Sequence, residues 1–118
     1  MKTAQQLIDE AKAAIRQVSP REVLEQLQRG DSIVLVDIRE QNEWSLGHLP
    51  NALYIGRGVL EREVEQRVPR DANIVLYCAS GNRSALAARV LEEMGYTSVA
   101  SMSGGIREWV DRGGAVED

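Results

Sequence analysis

The feature of this sequence that most constrains its fold is an apolar run that ends in the only cysteine of the chain. The run, Ile74 to Tyr77, is short and rich in β-branched and aromatic residues, which is typical of a buried parallel strand. A turn rich in Ser, Gly and Asn follows, and residues 84–91 then have the apolar spacing of an amphipathic helix. Cys78 therefore lies where a strand passes into a helix, and in open α/β sheets ligands bind at this carboxyl edge.

The turn after Cys78 has the composition of an anion-binding loop. Its backbone N–H groups, from Ala79 to Ser84, can point inward, and the first turn of the following helix adds further unpaired N–H groups. Arg83 contributes a permanent cation whose donor fork can grip an oxyanion or brace the loop. Such surroundings favour a thiolate and lower the pKa of a cysteine to roughly 3.5–7.5, from about 8.5. The sequence predicts a nucleophilic Cys78, with a buried structural cysteine as the alternative.

The first part of the chain predicts a helix, a short strand and a second helix. Residues 3–16 have helical apolar spacing, and a short strand is expected near Gln17-Val18. The next helix starts with Ser as cap, Pro at the first position and Glu three residues after the cap. We expect three of its side chains to face the core: Val23, Leu24 and Leu27.

The last part of the chain predicts a strand over Tyr96 to Ala100, a glycine-containing turn over residues 101–105 and a helix over residues 106–111. Trp109 on that helix is interpreted as a core anchor. The segment from Gly113 to Asp118 is expected to fray. Strands alternate with helices throughout, so the sequence predicts an α/β protein with a parallel sheet covered by helices on both faces.

Several motifs, in order, resemble the rhodanese family of thiosulfate and related sulfurtransferases. The active-site loop of that family is similar to Cys-x-x-Gly-x-Arg-Ser, here residues 78–84. The resemblance extends from about Val18 to Gly113. The other matching segments are Val34 to Glu40, Glu43-Trp44, Gly47 to Ala52, and Gly104-Gly105-Ile106 with Trp109.

The resemblance implies a three-layer rhodanese-like fold with a five-stranded parallel sheet over residues 18–113. Residues 1–17 are then a helical N-terminal extension, and residues 114–118 are a tail. The implied activity is sulfur transfer, in which Cys78 takes the outer sulfur of thiosulfate or another persulfide donor and passes it to a thiophilic acceptor such as cyanide or a thiol. No metal or organic cofactor is required. The expected substrate-binding residues are Ala79, Ser80, Gly81, Asn82, Arg83 and Ser84, with Arg57 as a second candidate cation.

Three other functions use the same cysteine. A sulfur relay or carrier would serve a protein partner, with the N-terminal helix as its docking surface or as a homodimer contact. A redox sensor would react with peroxide at Cys78. A phosphatase is disfavoured because cysteine-dependent phosphatases have five residues between Cys and Arg, whereas four separate Cys78 from Arg83.

Two further residues, Asp37 and His48, could serve either the structure or the chemistry of the site. Asp37 follows a buried strand and is expected to cap the next helix or to pair with Arg39. His48, the only histidine, lies in a Gly-His-Leu-Pro turn similar to one in the family, where the histidine is structural. No Cys/His spacing supports a metal site.

Composition limits the partners. The net charge is −4, which argues against a general nucleic-acid binder, and no polybasic patch suits a membrane surface. A single cysteine cannot form an internal disulfide, and no apolar run approaches the ~20 residues that span a bilayer. The first ten residues lack the hydrophobic region of a signal peptide. We therefore expect a cytoplasmic protein whose anion binding is local to the Cys78 loop.

Overall fold

The computed structural model describes residues 1–118 and contains six α-helices and five β-strands. The helices are α1 (Ala4–Ala14), α2 (Pro20–Gln28), α3 (Gln41–Ser45), α4 (Leu60–Arg67), α5 (Asn82–Glu93) and α6 (Gly105–Asp111). The strands are β1 (Arg16–Val18), β2 (Val34–Asp37), β3 (Leu53–Tyr54), β4 (Asn73–Tyr77) and β5 (Ser98–Met102), and a 3₁₀ turn, Arg57–Val59, precedes α4.

All five strands form one parallel sheet in the order β1-β5-β4-β2-β3, which confirms the expected architecture. β4 is the central strand. Its neighbours align Asp37 of β2 with Tyr77 and Ser101 of β5 with Leu76. Because the carboxyl ends of parallel strands meet at one edge, Cys78 lies at the middle of that edge.

Successive side chains of each strand point to opposite faces of the sheet, so the core consists of two apolar clusters, one on each face. The cluster beneath α1, α4 and α5 contains Ile74, Leu76 and Cys78 from the central strand and its end. The cluster beneath α2 and α6 contains Val75 and Tyr77. The core is built from aliphatic side chains with Tyr77, Tyr96 and Trp109, and the burial of Trp109 fits its interpretation as an anchor.

Local sequence explains how the first two helices start. Thr3 caps α1 and Ser19 caps α2, each in a reciprocal capping box with the side chain three residues later. Ala11 and Ile15, at the end of α1, belong to the same apolar cluster as α5. The first helix therefore packs on the body of its own chain. No helix combines the length and the apolar character that a membrane crossing requires.

The prediction that Leu24 faces the core was wrong. Val23 is fully buried and Leu27 packs against the same cluster, whereas Leu24 is 40% exposed. Val23 and Leu27 are four residues apart and share one helix face, and Leu24 lies about 100° around the helix from Val23. The apolar stripe of α2 is narrower than its sequence suggests.

The C-terminal segment does not fray. His48 and Glu117 exchange two backbone hydrogen bonds, each of 2.9 Å, in an antiparallel bridge. The indole Nε1 of Trp109 donates to the carbonyl of Ala115 at 2.8 Å. These bonds hold residues 115–117 against α6 and the turn that contains His48, so the prediction that Gly113 to Asp118 fray was wrong for residues 115–117.

Candidate active site

Cys78 lies between the end of β4 and the start of α5, and its side chain is buried. Gly81 is the N-cap of α5 and has a φ of +97°, in the left-handed region that favours glycine. This conformation turns the chain back on itself, so that the first turn of α5 lies against the cysteine sulfur. The strand, loop and helix therefore place Cys78 as the sequence predicted.

The sulfur atom is surrounded by hydrogen-bond donors. The backbone N–H of Gly81 lies 3.2 Å from Sγ and that of Ser84 lies 3.4 Å from it. The hydroxyl Oγ of Ser84 is 3.5 Å from Sγ. Burial raises the pKa of Cys78, but the Ser84 hydroxyl and the backbone N–H groups of Ser84, Ser80 and Gly81 outweigh it and hold the pKa below its ordinary value. The loop thus favours the thiolate.

The loop rests on the turn between β5 and α6. The N–H of Ile106 donates to the carbonyl of Cys78 at 2.9 Å, and the N–H of Arg107 donates to the carbonyl of Ala79 at 3.1 Å. Gly105, with a φ of +60°, allows this approach, because a Cβ there would lie 2.5 Å from the carbonyl oxygens of Cys78 and Ala79. The carbonyls of Cys78 and Ala79 are thus hydrogen-bonded on the side of the loop that faces α6, away from the sulfur.

Arg83, the cation of the loop, is paired with Glu43 of α3. Nη1 lies 3.1 Å from Oε1 and Nη2 lies 3.2 Å from Oε2, which is a bidentate ion pair. The hydrogen bonds from Arg83 hold the pKa of Glu43 below its usual range, although partial burial opposes this. Arg83 therefore braces the loop against α3, which is one of the two roles that the sequence left open.

A buried charged pair supports the neighbouring strand end. Arg39 and Asp37 form an ion pair of 2.8 Å, and Arg39 also donates to the carbonyl of Gly47. The hydroxyl of Tyr77 accepts the N–H of Leu49 at 3.0 Å, and burial raises the pKa of Tyr77. The expected Asp37–Arg39 pairing is thus present. It fixes the segment that leads into α3.

Arg57 and His48 do not contact the sulfur. Arg57 lies on the 3₁₀ turn and pairs with Glu61 at 2.9 Å. The ring of His48 stacks on Trp44 at a centroid distance of 3.4 Å, and its Nδ1 lies 3.2 Å from the Trp44 carbonyl. His48 is buried in these contacts, as expected of a structural histidine.

Sequence reasoning missed Ser101, which joins the sulfur site from β5. Its hydroxyl lies 2.7 Å from the hydroxyl of Ser84, and both residues are fully buried. The prediction that residues 101–105 form a turn was wrong at its start, because β5 extends to Met102. A usable signal was present, since a Ser two residues after Val99 belongs to the same strand face as Val99.

Fold and site together define an α/β domain in which one cysteine sits in a loop of N–H donors at the carboxyl edge of a parallel sheet. The model of the rhodanese-like domain family matches residues 19–112. This chain belongs to that family. The match covers four of the five strands, β2 to β5, together with the Cys78 loop and α6.

Individual relatives agree with this membership. The sulfurtransferase of Allochromatium vinosum is 30% identical over 99 residues, which are 84% of this chain and 92% of that protein. The probable adenylyltransferase/sulfurtransferase MoeZ of Mycobacterium tuberculosis is 33% identical over 93 residues, which are 78% of this chain and 24% of MoeZ. The chain therefore spans about a quarter of the length of MoeZ.

A solved structure is similar over almost the full chain. It is that of a Rhodopseudomonas palustris protein of unknown function, described as a possible tyrosine phosphatase. The TM-score is 0.90 at 32% sequence identity, and the match covers 99% of this chain and 96% of the other. The N-terminal helix is thus included in the structural similarity.

Proposed function

We propose that this protein is a sulfurtransferase that carries a sulfane sulfur on Cys78. The proposal rests on the hydrogen-bonding groups of Gly81 and Ser84 that lie within 3.5 Å of Sγ, in a chain of the rhodanese-like family. A thiolate held by backbone N–H groups at a helix start is a ready nucleophile, and it needs no separate base. Thiosulfate, other persulfides and thiophilic acceptors are the substrates proposed.

The first step transfers one sulfur atom to the enzyme. The Cys78 thiolate attacks the outer sulfur of thiosulfate, a new S–S bond forms, and the S–S bond of thiosulfate breaks. Sulfite leaves with the electron pair of that bond. The protein now holds Cys78–S–S⁻, and the negative charge is on the terminal sulfur, where donors of the loop can stabilise it.

The second step returns the enzyme to its starting state. The acceptor attacks the terminal sulfur and forms a bond to it, and the Cys78 thiolate is the leaving group. Cyanide gives thiocyanate, and a thiol gives a persulfide. The donors that favour the free thiolate also favour its departure, so one loop serves both steps.

The residues of the loop have different roles in this scheme. Ser80, Gly81 and Ser84 supply N–H donors to the sulfur, and we assign the N–H groups of Ala79 and Asn82, together with that of Ser80, to the terminal sulfur or the donor anion. Arg83 fixes the loop through Glu43. Arg57 remains the proposed second cation, and Arg57→Ala is expected to raise the KM for thiosulfate without changing kcat.

Intact mass spectrometry tests the proposed function. The wild type and Cys78→Ser are mixed with thiosulfate, measured, and measured again after cyanide. We expect one added sulfur atom on the wild type alone, lost with the appearance of thiocyanate. Transfer by Cys78→Ser above a few per cent of wild type would disprove the nucleophile assignment. Hydrolysis of a phosphate ester with no sulfur adduct would instead support phosphatase chemistry.

A partner-dependent sulfur relay is the second candidate. It is favoured by the Glu43–Arg83 pair, because a carboxylate beside the loop cation weakens the attraction for a free dianion such as thiosulfate. In this version a protein persulfide is the donor, and the outer face of α1, where Leu7 is 47% exposed, is the docking surface or a homodimer contact. Leu7→Ser would then reduce transfer from the protein donor and leave transfer from thiosulfate unchanged.

A further inference from the structure

Ser101 is a buried polar residue in the interior of the sheet. Its neighbours on β5 are apolar (Val99, Ala100 and Met102), and its own side chain is fully buried. The register pairs it with Leu76, so its side chain faces α5, on the same side as Cys78. A buried hydroxyl destabilises the fold unless it is hydrogen-bonded. An apolar residue would suit this position better if only packing mattered.

The hydroxyl of Ser101 has one hydrogen-bond partner, and that partner leads to the cysteine. The distance between the Oγ atoms of Ser101 and Ser84 is 2.7 Å, and Ser84 Oγ lies 3.5 Å from Cys78 Sγ. Three polar atoms from β5, α5 and the loop thus form a short chain. Both hydroxyls are sealed from solvent, so their protons have few alternative acceptors.

The protonation state of Cys78 decides whether every proton in this chain has a hydrogen-bond acceptor. With a thiolate, the Ser101 hydroxyl donates to Ser84, and the Ser84 hydroxyl donates to the sulfur, so both protons are bonded. If the thiol donates to Ser84 instead, and Ser84 donates to Ser101, the Ser101 proton has no acceptor. A buried donor without a partner destabilises that state. The chain therefore favours the thiolate, and Ser101 adds to this preference because its donation to Ser84 Oγ polarises the Ser84 hydroxyl and strengthens the bond from that hydroxyl to the sulfur.

We propose that Ser101 is a positioning residue for the Cys78 thiolate, which it stabilises by directing the hydroxyl proton of Ser84 toward the sulfur. The inference deepens the proposed function, because it concerns the same sulfur atom. It extends to the second step, in which the Cys78 thiolate leaves. Ser101 does not touch the sulfur, so its whole contribution passes through Ser84.

The positioning role of Ser101 can be tested by measuring the rate at which iodoacetamide alkylates Cys78 over a range of pH. The rate follows the thiolate fraction and needs no sulfur donor, so the result is independent of whether thiosulfate is a substrate. For Ser101→Ala we expect the midpoint of the profile to rise by roughly 0.5 to 1 pH unit, which slows alkylation about 3- to 10-fold below the midpoint. Ser84→Ala should raise the midpoint further. The ultraviolet absorbance of the thiolate gives a second reading of the same midpoint.

The double variant separates a positioning role from a general structural one. If Ser101 acts only through Ser84, adding Ser101→Ala to Ser84→Ala leaves the midpoint where Ser84→Ala put it. Ser98→Ala is the matched control, because Ser98 is on the same strand and its hydroxyl bonds to Asn73 at 2.7 Å, away from the loop. That variant should keep the wild-type midpoint. Ser101→Thr retains the hydroxyl and should also keep it.

Three results would overturn the inference. An unchanged midpoint in Ser101→Ala would show that the hydroxyl of Ser101 does not influence the sulfur. An equal rise in the wild-type and Ser84→Ala backgrounds would show that its effect bypasses Ser84. A rise in Ser98→Ala as large as that in Ser101→Ala would show that any loss of a β5 hydroxyl disturbs the loop.

Discussion

Arg83 and Glu43 are 40 residues apart in the sequence, yet their side chains form two nearly equal bonds, Nη1–Oε1 at 3.1 Å and Nη2–Oε2 at 3.2 Å. The pair joins the first turn of α5 to α3. It also places a carboxylate beside the cation of the Cys78 loop, and that carboxylate offsets the positive charge. A dianionic donor that approaches the loop must therefore compete with Glu43 for Arg83.

Glu43→Gln is expected to lower the KM for thiosulfate two- to fivefold, with kcat little changed. The amide removes the competing charge, and partly exposed ion pairs of this kind are worth about 0.2–1 kcal/mol. Glutamine can still accept the N–H of Glu40, which caps α3 at 2.9 Å, so the helix start is retained. Steady-state kinetics with thiosulfate as the varied substrate measures the effect.

Glu65→Gln is the control for this charge change. Glu65 pairs with Arg70 at 3.3 Å, outside the loop, so its substitution should leave the KM unchanged. An equal fall in KM for both variants would assign the effect to total charge. A rise in KM for Glu43→Gln would show that bracing of Arg83 matters more to the donor than the free charge.

Sulfur uptake should depend on pH through Cys78. The reactive form is the thiolate, so the rate of persulfide formation rises with pH, roughly tenfold per pH unit below the pKa, and then levels off. Because donors to the sulfur hold this pKa below the ordinary thiol value, the midpoint of the profile should lie below about pH 8.5. Rapid mixing of enzyme and thiosulfate gives the profile. A rate that still climbs tenfold per unit near about pH 9 would contradict the lowered pKa.

Gly105→Ala should destabilise the protein by about 2 to 5 kcal/mol and reduce sulfur transfer. The added Cβ would lie 2.5 Å from two loop carbonyls at a φ of +60°, which combines overpacking with backbone strain. Gly95→Ala is the matched control, since its φ is +95° and no atom lies within 4 Å of the new Cβ. It should cost about 1 to 2 kcal/mol and leave transfer intact. Denaturant unfolding measures the loss of unfolding free energy in both variants. Equal losses in Gly105→Ala and Gly95→Ala would show that the close approach at Gly105 is unimportant.

Removal of residues 114–118 should lower the free energy of unfolding by about 1 to 3 kcal/mol. The truncated chain loses both backbone bonds between His48 and Glu117, and it loses the acceptor of the Trp109 indole. Glu117→Ala keeps the backbone bonds and should cost less than about 0.5 kcal/mol. Thermal and urea unfolding of the three proteins provide the comparison. Equal stability of all three would mean that the segment does not contribute to the fold.

The sequence predicted the features that are local in the chain. An unbroken apolar run from Ile74 to Tyr77 places Cys78 at a strand end, and Ser19 starts α2 through residues within one turn. The parallel five-stranded sheet followed from the alternation of elements and from the family resemblance. These predictions depend on neighbours in sequence, where composition and spacing carry the information.

The missed features depend on residues that only the fold brings together. Ser84 and Ser101 are 17 residues apart, and nothing near Ser101 indicates a cysteine. Its Ser-Met-Ser-Gly-Gly context has the composition of a turn, which shortened the predicted strand. The docking of Glu117 on His48 likewise needs an antiparallel bridge that no local pattern encodes.

The amides of Ile106 and Arg107, which donate to the carbonyls of Cys78 and Ala79, have a dynamic consequence. Their protons exchange with solvent only when these bonds open, so their exchange rates report how often the loop separates from α6. The sulfur site can thus be followed by NMR at two amides that lie about 28 residues from Cys78 in sequence and take no part in the chemistry. A substitution elsewhere that loosens α6 from the loop is therefore expected to speed hydrogen exchange at these two amides.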